Sequence, residues 1–245
     1  GNRSHLSEDQ MLKIFSERGG DPGRAGKIDP LDCLVWMSQR KNEPGWDSEL
    51  GKGRPGWHIE CTAIALEYLD PSDLEETLID IQGGGSDLIF PHHEMCAAQA
   101  HVMTGKELAA SYVHTGMIGL DGEKMSKSKG NLVFVSRLVA AGTDPMAIRC
   151  ALMANHYRSD RMWSDSLLRE AEAIWEQLKS ALVSGEVAPT EGVIDEIIKA
   201  LSDDLNTPKV LSLLAEWSST TLSGAKGGSA SEFREVLDAL LGLKF

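Results

Sequence analysis

The sequence predicts an α/β chain. Half of a doubly wound, Rossmann-type nucleotide-binding domain lies over residues 56–144 and an all-α helical bundle over 145–245, preceded at 1–55 by a connecting segment with one helix. Three observations predict it. Strand-like and helix-like stretches alternate from Pro55 to Leu120, with a glycine cluster at a strand's carboxyl end. After Asp144-Pro145 apolar residues recur at spacings of three and four almost to the last residue. Residues 23–56 are rich in Gly, Pro and charge around a single apolar island, "LDCLVWM", which reads as a connection rather than a core.

Each element follows from local chemistry. "SEDQMLKIFSERGGDP" opens on a capping box, Ser7 to Gln10, and is stopped by Gly19, Gly20 and Pro22. "GWHIECTAIALEYL" has helical spacing, and "TLIDIQ" is a short strand running into "GGGSD". "FPHHEMCAAQAHVM" is a helix whose early Pro91 suits a first turn. "SYVHTGMIGL" is a second strand that delivers the chain into "DGEKMSKSKGN", a loop matching neither helical nor strand periodicity. Five helical stretches then follow, from "PMAIRCALMANHYR" to "ASEFREVLDALLGL", with loops at 184–192 and 223–230.

The 245 residues are 42% hydrophobic, enough for one large or two small cores. A net charge of −13 argues against a general nucleic-acid coat while leaving room for a local basic site. Cys33, Cys61, Cys96 and Cys150 are too few for a disulfide framework in a chain of this length, which points to a reducing cytoplasm. No signal peptide, membrane span or lipidation motif is visible, and the chain opens without Met, so a fragment or a processed chain is expected.

Three constellations carry chemistry. "DIQGGGSD" (80–87) reads as a glycine turn at a strand end, where a ligand can lie against bare backbone and Asp87 can hold two ribose hydroxyls. A tight turn with a capping Asp uses the same residues. Trp57 and Cys61 share one helical face, His92 and Cys96 another, and the two helices flank one strand, so Cys61 and His92 can converge. Thiolate with imidazole is zinc chemistry, although a helical Cys is often a small core residue and a His after a helix-starting Pro often a cap. His58, His93 and His114 are spare candidates that the sequence does not rank. Lys124 and Lys127, between Gly122 and Gly130, can reach phosphates and neutralise charge on a departing pyrophosphate. A solvated charged loop is the plainer reading.

"KMSKS" (124–128) is similar to the second signature of class I aminoacyl-tRNA synthetases. Together with "GRPGWHIEC" (53–61) and "GGGSDLIFPHHE" (83–94) it resembles the cysteinyl branch. "ERGGDP" (17–22), "YVHTGMIGLDGEKMSKSKGNLV" (112–133) and "HYRSDRMWSD" (156–165) extend the resemblance along the whole chain to the paralogous family of cysteine:glucosaminyl-inositol ligases of mycothiol biosynthesis. That resemblance implies the second half of a class I synthetase-type Rossmann domain, with zinc held by Cys61 and His92 and taking the thiolate of substrate cysteine. It places Trp57 beside the amino acid, Gly85, Ser86 and Asp87 on the adenylate, the backbone of Ile118 on adenine, and Lys124 and Lys127 on the phosphates. It implies L-cysteine, ATP and glucosaminyl-inositol as substrates of a monomeric, AMP-forming ligase with no membrane partner.

The chain departs from the family pattern in three places. The "HIGH" signature and the zinc-binding Cys that precedes it are absent, so this portion alone is expected to make no cysteinyl-adenylate. Cys96 stands where the tRNA synthetases carry a zinc-binding Glu, and is either an additional ligand or a small buried thiol. "DPSDLEET" (70–77) is an acidic insert expected at the surface. With no anticodon-reading module after "DALLGLKF" and no basic helix in the bundle, tRNA is not the expected acceptor. A cysteinyl-tRNA synthetase and a non-catalytic zinc- or nucleotide-binding paralogue are the alternatives. Trp163 and Arg158 either line a pocket or pack the bundle.

Overall fold

The structure, a computed structural model, describes residues 3–69, 76–127, 129–183 and 185–245; the acidic insert lies outside them except for Glu76 and Thr77. The chain divides into two compact units, 1–115 and 116–245. This boundary lies upstream of the change in composition at 144, because Ile118, Leu120, Met125, Val133 and Leu138 pack on the core of the helical unit.

In the first unit α1 (Glu8–Glu17) starts where Ser7 accepts from the Gln10 amide and the Gln10 side chain accepts from the Ser7 amide. Its buried residues Met11 and Phe15 pack with Phe90. The connecting segment carries one short antiparallel pair, β1 (Trp36–Ser38) with β2 (Gly53–Pro55), and leads into α2 (Trp57–Tyr68). β3 (Thr77–Gly85), α3 (Glu94–Thr104) and β4 (Glu107–Thr115) form the crossover unit a parallel pair requires, with β3 and β4 paired from Thr77↔Glu107 to Gly85↔Thr115. Leu78, Cys96, Ala97, Ala100 and Leu108 fill the space between helices and strands.

One sequence expectation is corrected here and another borne out. Gly83, Gly84 and Gly85 are not a turn but the last three residues of β3, because their backbone continues the pairing with Val113–Thr115. Pro91 stands, as expected, at the first helical position after a break. The residue before a proline is driven to extended backbone, and Phe90 (φ −139, ψ 138), joined to Pro91 by a cis peptide, is the one non-helical residue within 89–93, so helical backbone resumes at Pro91 and runs into α3.

In the second unit the expected single strand "SYVHTGMIGL" is interrupted at Gly116-Met117, and β5 (Ile118–Leu120) is a separate strand. It pairs antiparallel with β6 (Glu123–Lys124) and parallel with β7 (Arg161–Trp163). Between them lie α4 (Val135–Ala140) and α5 (Pro145–Met153). α6 (Asp165–Ala181), β8 (Glu186–Val187), α7 (Glu191–Ser202), α8 (Thr207–Leu222), β9 (Gly228–Ser229) and α9 (Ala230–Leu241) complete the unit. α6 buries Leu168, Ala171, Trp175, Leu178 and Ala181, a single stripe at three- and four-residue spacing. It meets Leu211, Leu214 and Trp217 of α8 and Phe233 and Leu237 of α9 in one core. Asp144, Ser164, Asn206 and Ser229 cap α5, α6, α8 and α9 through side-chain oxygens. The loops expected at 184–192 and 223–230 carry the antiparallel β8–β9 pair. Among the described residues no helix is long and apolar enough to cross a membrane.

Candidate functional site

The carboxyl ends of β3 and β4 organise the first unit's polar side chains. Gly85 ends β3, and Ser86 and Asp87 begin a short 3-10 turn, Ser86–Leu88, so these three residues lie at a strand end, where open α/β sheets hold ligands. This turn is fixed from α1, where Arg18 donates through Nη1 to the carbonyls of Asp87 and Phe90. Sequence reading missed Arg18; the only signal was its place at the end of a capped helix.

Gly84 makes room for an imidazole. A Cβ there would stand 2.9 Å from His93 Cε1 and 3.0 Å from Leu88 Cδ1. His93, almost fully buried, bonds through Nδ1 to Nε2 of His114 on β4 at 2.7 Å. Burial, reinforced by His114 and His92, lowers the His93 pKa to about 4. Burial also lowers that of His114. Both rings are therefore neutral near pH 7, each able to donate from one nitrogen and accept at the other.

His92 faces the opposite way, towards α2. Trp57 stacks on it with centroids 4.2 Å apart, and its Nδ1 lies 2.8 Å from Nδ1 of His58. Cys96, one turn along α3 and 2% exposed, sits with Sγ 4.0 Å from Nε2 of His92 and donates to the His58 carbonyl at 3.4 Å. Burial pushes the Cys96 thiol up to about 11 and takes the His58 imidazole down to about 4. Cys61 lies on α2, half-buried against the same small core as Cys96, and its thiol is also raised by burial. The sequence-predicted residues Trp57, His92 and Cys96 thus come together with His58, and Cys61 lies on the adjoining helix.

This donor set suits a soft ion in kind, being thiols and imidazoles, but not in number. Among the described residues no three His, Cys, Asp or Glu side chains are placed to hold one metal, fewer than a structural or catalytic zinc site requires.

The lysine loop belongs to the second unit. Lys124 is exposed on β6, opposite Gly119, and Lys127 is exposed in the turn that Gly130 closes by donating to the Lys127 carbonyl at 3.2 Å. Asn131 braces the loop from within, accepting from the Ser126 amide at 2.9 Å and donating to the Lys124 carbonyl at 3.2 Å. Lys129 is committed to Glu123 at 2.9 Å. Ile118 lies on β5 opposite Arg161, its side chain against the helical core. Of the two residues the sequence left open, Trp163 is buried in that core, and Arg158 is exposed and paired with Asp204 at 2.7 Å.

Comparison with known proteins bears on this arrangement. Residues 3–173 match the model of the tRNA synthetases class I (C) catalytic domain. The chain is 51% identical to the L-cysteine:1D-myo-inositol 2-amino-2-deoxy-alpha-D-glucopyranoside ligase of Saccharomonospora viridis, over 99% of this chain and 59% of that protein. For the proteins of the same name from Kribbella flavida and Salinispora tropica the identities are 51% and 52%, each over 100% of this chain and over 58% and 60% of theirs. The chain thus spans somewhat under two thirds of these relatives' length. In structure it resembles Agrobacterium radiobacter K84 agnB2 LeuRS, solved in a ternary complex with tRNA and LeuAMS, with a TM-score of 0.53 at 18% identity over 84% of this chain and 35% of that one. That likeness speaks to the fold alone. Matched over most of its length, this chain belongs to the class I tRNA synthetase (C) catalytic domain family.

Proposed function

We propose that these residues form part of an AMP-forming ligase that joins L-cysteine to glucosaminyl-inositol, working as a monomer in a reducing cytoplasm. One observation carries the reading: identity near 50% along essentially the whole chain to proteins bearing that ligase's name. Because the chain spans only about 58–60% of those proteins, the activity is proposed for a protein of their length containing these residues. A second half of a class I synthetase-type Rossmann domain followed by a helical bundle is the matching architecture.

In the first step the carboxylate of cysteine attacks the α-phosphorus of ATP; an O–P bond forms and the bond to pyrophosphate breaks. In the second, the amine of glucosaminyl-inositol attacks the adenylate's carbonyl carbon, forming the amide, losing its proton to solvent and releasing AMP. The chain's own residues position and neutralise. Lys124 and Lys127 lie exposed on a loop braced by Asn131, suited to the growing charge on pyrophosphate. Trp57 borders the amino acid, Gly85, Ser86 and Asp87 hold the adenylate, and the Ile118 backbone meets adenine. Cys61 and His92 would hold a zinc ion, with Cys96 a candidate third ligand; these donors alone are too few, and in a completed site the ion would supply a soft acid for a thiol.

The acceptor decides between this reading and a cysteinyl-tRNA synthetase. Glucosaminyl-inositol and tRNA are offered together to the protein at the relatives' length with labelled cysteine. The label is expected in the small amide. Label accumulating on tRNA would overturn the reading, and label on neither would favour a non-catalytic paralogue.

A further inference from the structure

The base of the lysine loop does not stand alone. Gly116 donates to the Tyr157 carbonyl at 2.7 Å, Met117 donates to the Asp160 carboxylate at 2.7 Å, and Arg161 donates to the Met117 carbonyl at 2.9 Å. β5 then pairs with β7, and β6, with Lys124, pairs with β5. The approach at Gly116 is close enough to demand glycine, since a Cβ there would lie 2.3 Å from the Ser159 carbonyl. The strand carrying Lys124 therefore rests on residues 157–163.

That segment is fastened in turn to a distant corner of the same unit. Asp204, between α7 and α8, accepts from Arg158 Nε at 2.7 Å and Nη2 at 3.0 Å, and from the Tyr157 hydroxyl at 2.7 Å. The Asp204 carbonyl lies 2.9 Å from His156 Nε2. Asp204 (φ 52) and Leu205 (φ 55) are consecutive non-glycine residues in left-handed backbone, a conformation that costs free energy and persists only where surrounding contacts over-determine it. Asn206 caps α8, and Thr207 bonds to the Met153 carbonyl at 2.9 Å, so the corner is itself anchored. Three successive side chains of "HYR" thus converge on one residue.

We propose that Asp204 is a positioning residue for the lysine loop: by clasping Tyr157 and Arg158 it holds the 157–161 segment on which Gly116, Met117 and β5 rest, and through β5 fixes where Lys124 stands. The catalytic meaning of that placement rests on the ligase reading; the mechanical coupling does not.

The test is amide hydrogen exchange on this 245-residue chain, which needs no substrate. Asp204→Gly removes the carboxylate while keeping the left-handed backbone free of strain. It is expected to speed exchange within 116–124 and 157–163 by about tenfold, the scale of three bonds to a solvent-exposed carboxylate lost together, with α6 unchanged. Asp204→Asn keeps one acceptor oxygen and tolerates the left-handed region, so it should fall between wild type and Asp204→Gly. Acceleration confined to 203–207, acceleration spread equally over the whole unit, or Asp204→Asn behaving as Asp204→Gly would each reduce Asp204 to an ordinary structural residue. Any of these would leave the ligase reading untouched.

Discussion

Adding one methyl group at Gly84 tests the packing at the end of β3. The new Cβ would press on His93 Cε1 at 2.9 Å, on Leu88 Cδ1 at 3.0 Å and on His93 Nε2 at 3.4 Å. The ring has little room to yield, being 6% exposed and bonded to His114 at 2.7 Å. Overpacking costs about 1–3 kcal/mol and a broken internal hydrogen bond about 1 kcal/mol more, so Gly84→Ala should destabilise the β3–β4 pair by about 2–4 kcal/mol. Gly83 is the internal control. A Cβ there meets only the Val113 carbonyl at 3.7 Å, an ordinary contact, and neither glycine has positive φ. Gly83→Ala should therefore be neutral or stabilising by about 0.5 kcal/mol through the unfolded chain. Native-state exchange of β3 and β4 amides reads both, and the expected gap is a factor of roughly 30 to 1,000 in opening, at about 1.4 kcal/mol per tenfold. Equal exchange in the two variants would refute the claim that Gly84 exists to seat His93.

Other perturbations address other parts of the molecule. Asp144 caps α5 through the Met146 amide at 2.8 Å and accepts from the fully buried Trp175 indole at 2.6 Å. Asp144→Ala should cost about 2–3 kcal/mol in urea denaturation followed by near-ultraviolet dichroism, with Asp144→Asn costing less. Since His58 and His93 each titrate near 4 when folded and about 6.5 when unfolded, the unfolded chain binds more protons between those values. Stability should hold above pH 6.5 and fall as pH drops towards 4, by up to about 3 kcal/mol for the buried His93; a flat profile over that window would contradict their neutral burial. Cys96→Ala, assayed for bound zinc by metal analysis, should lower the metal content if the Cys96 thiol is a ligand; unchanged affinity would remove it from the set.

The sequence made the helices and the two parallel strands legible because periodicity and caps are local signals. The Ser7–Gln10 box and the stripe through Trp175 appear where they were expected. Its misreadings lie where tertiary pairing overrides local preference. Three glycines look like a turn until β4 pairs with them, whereas Pro91 does begin helical backbone because Phe90 before it is extended. The four-residue spacing correctly brought Cys96 beside His92. Helical spacing pointed His92 at Cys61 and left His58, His93 and His114 unranked, so it gave no hint that His92 meets Trp57 and His58 or that His93, one residue on, turns to His114. Arg18 and Asp204 were invisible for the same reason, since each acts over about 70 or about 50 residues of chain.

Cysteine-dependent exchange of labelled pyrophosphate into ATP, run on the protein at its relatives' length, tests the central claim most directly. Exchange should require L-cysteine, fail with L-serine, and fall about a hundredfold or more with Lys127→Ala. Lys129→Ala should leave it within about threefold, because that ammonium is already held by Glu123 at 2.9 Å. Exchange that proceeds without cysteine, or equally well with serine, would contradict the account.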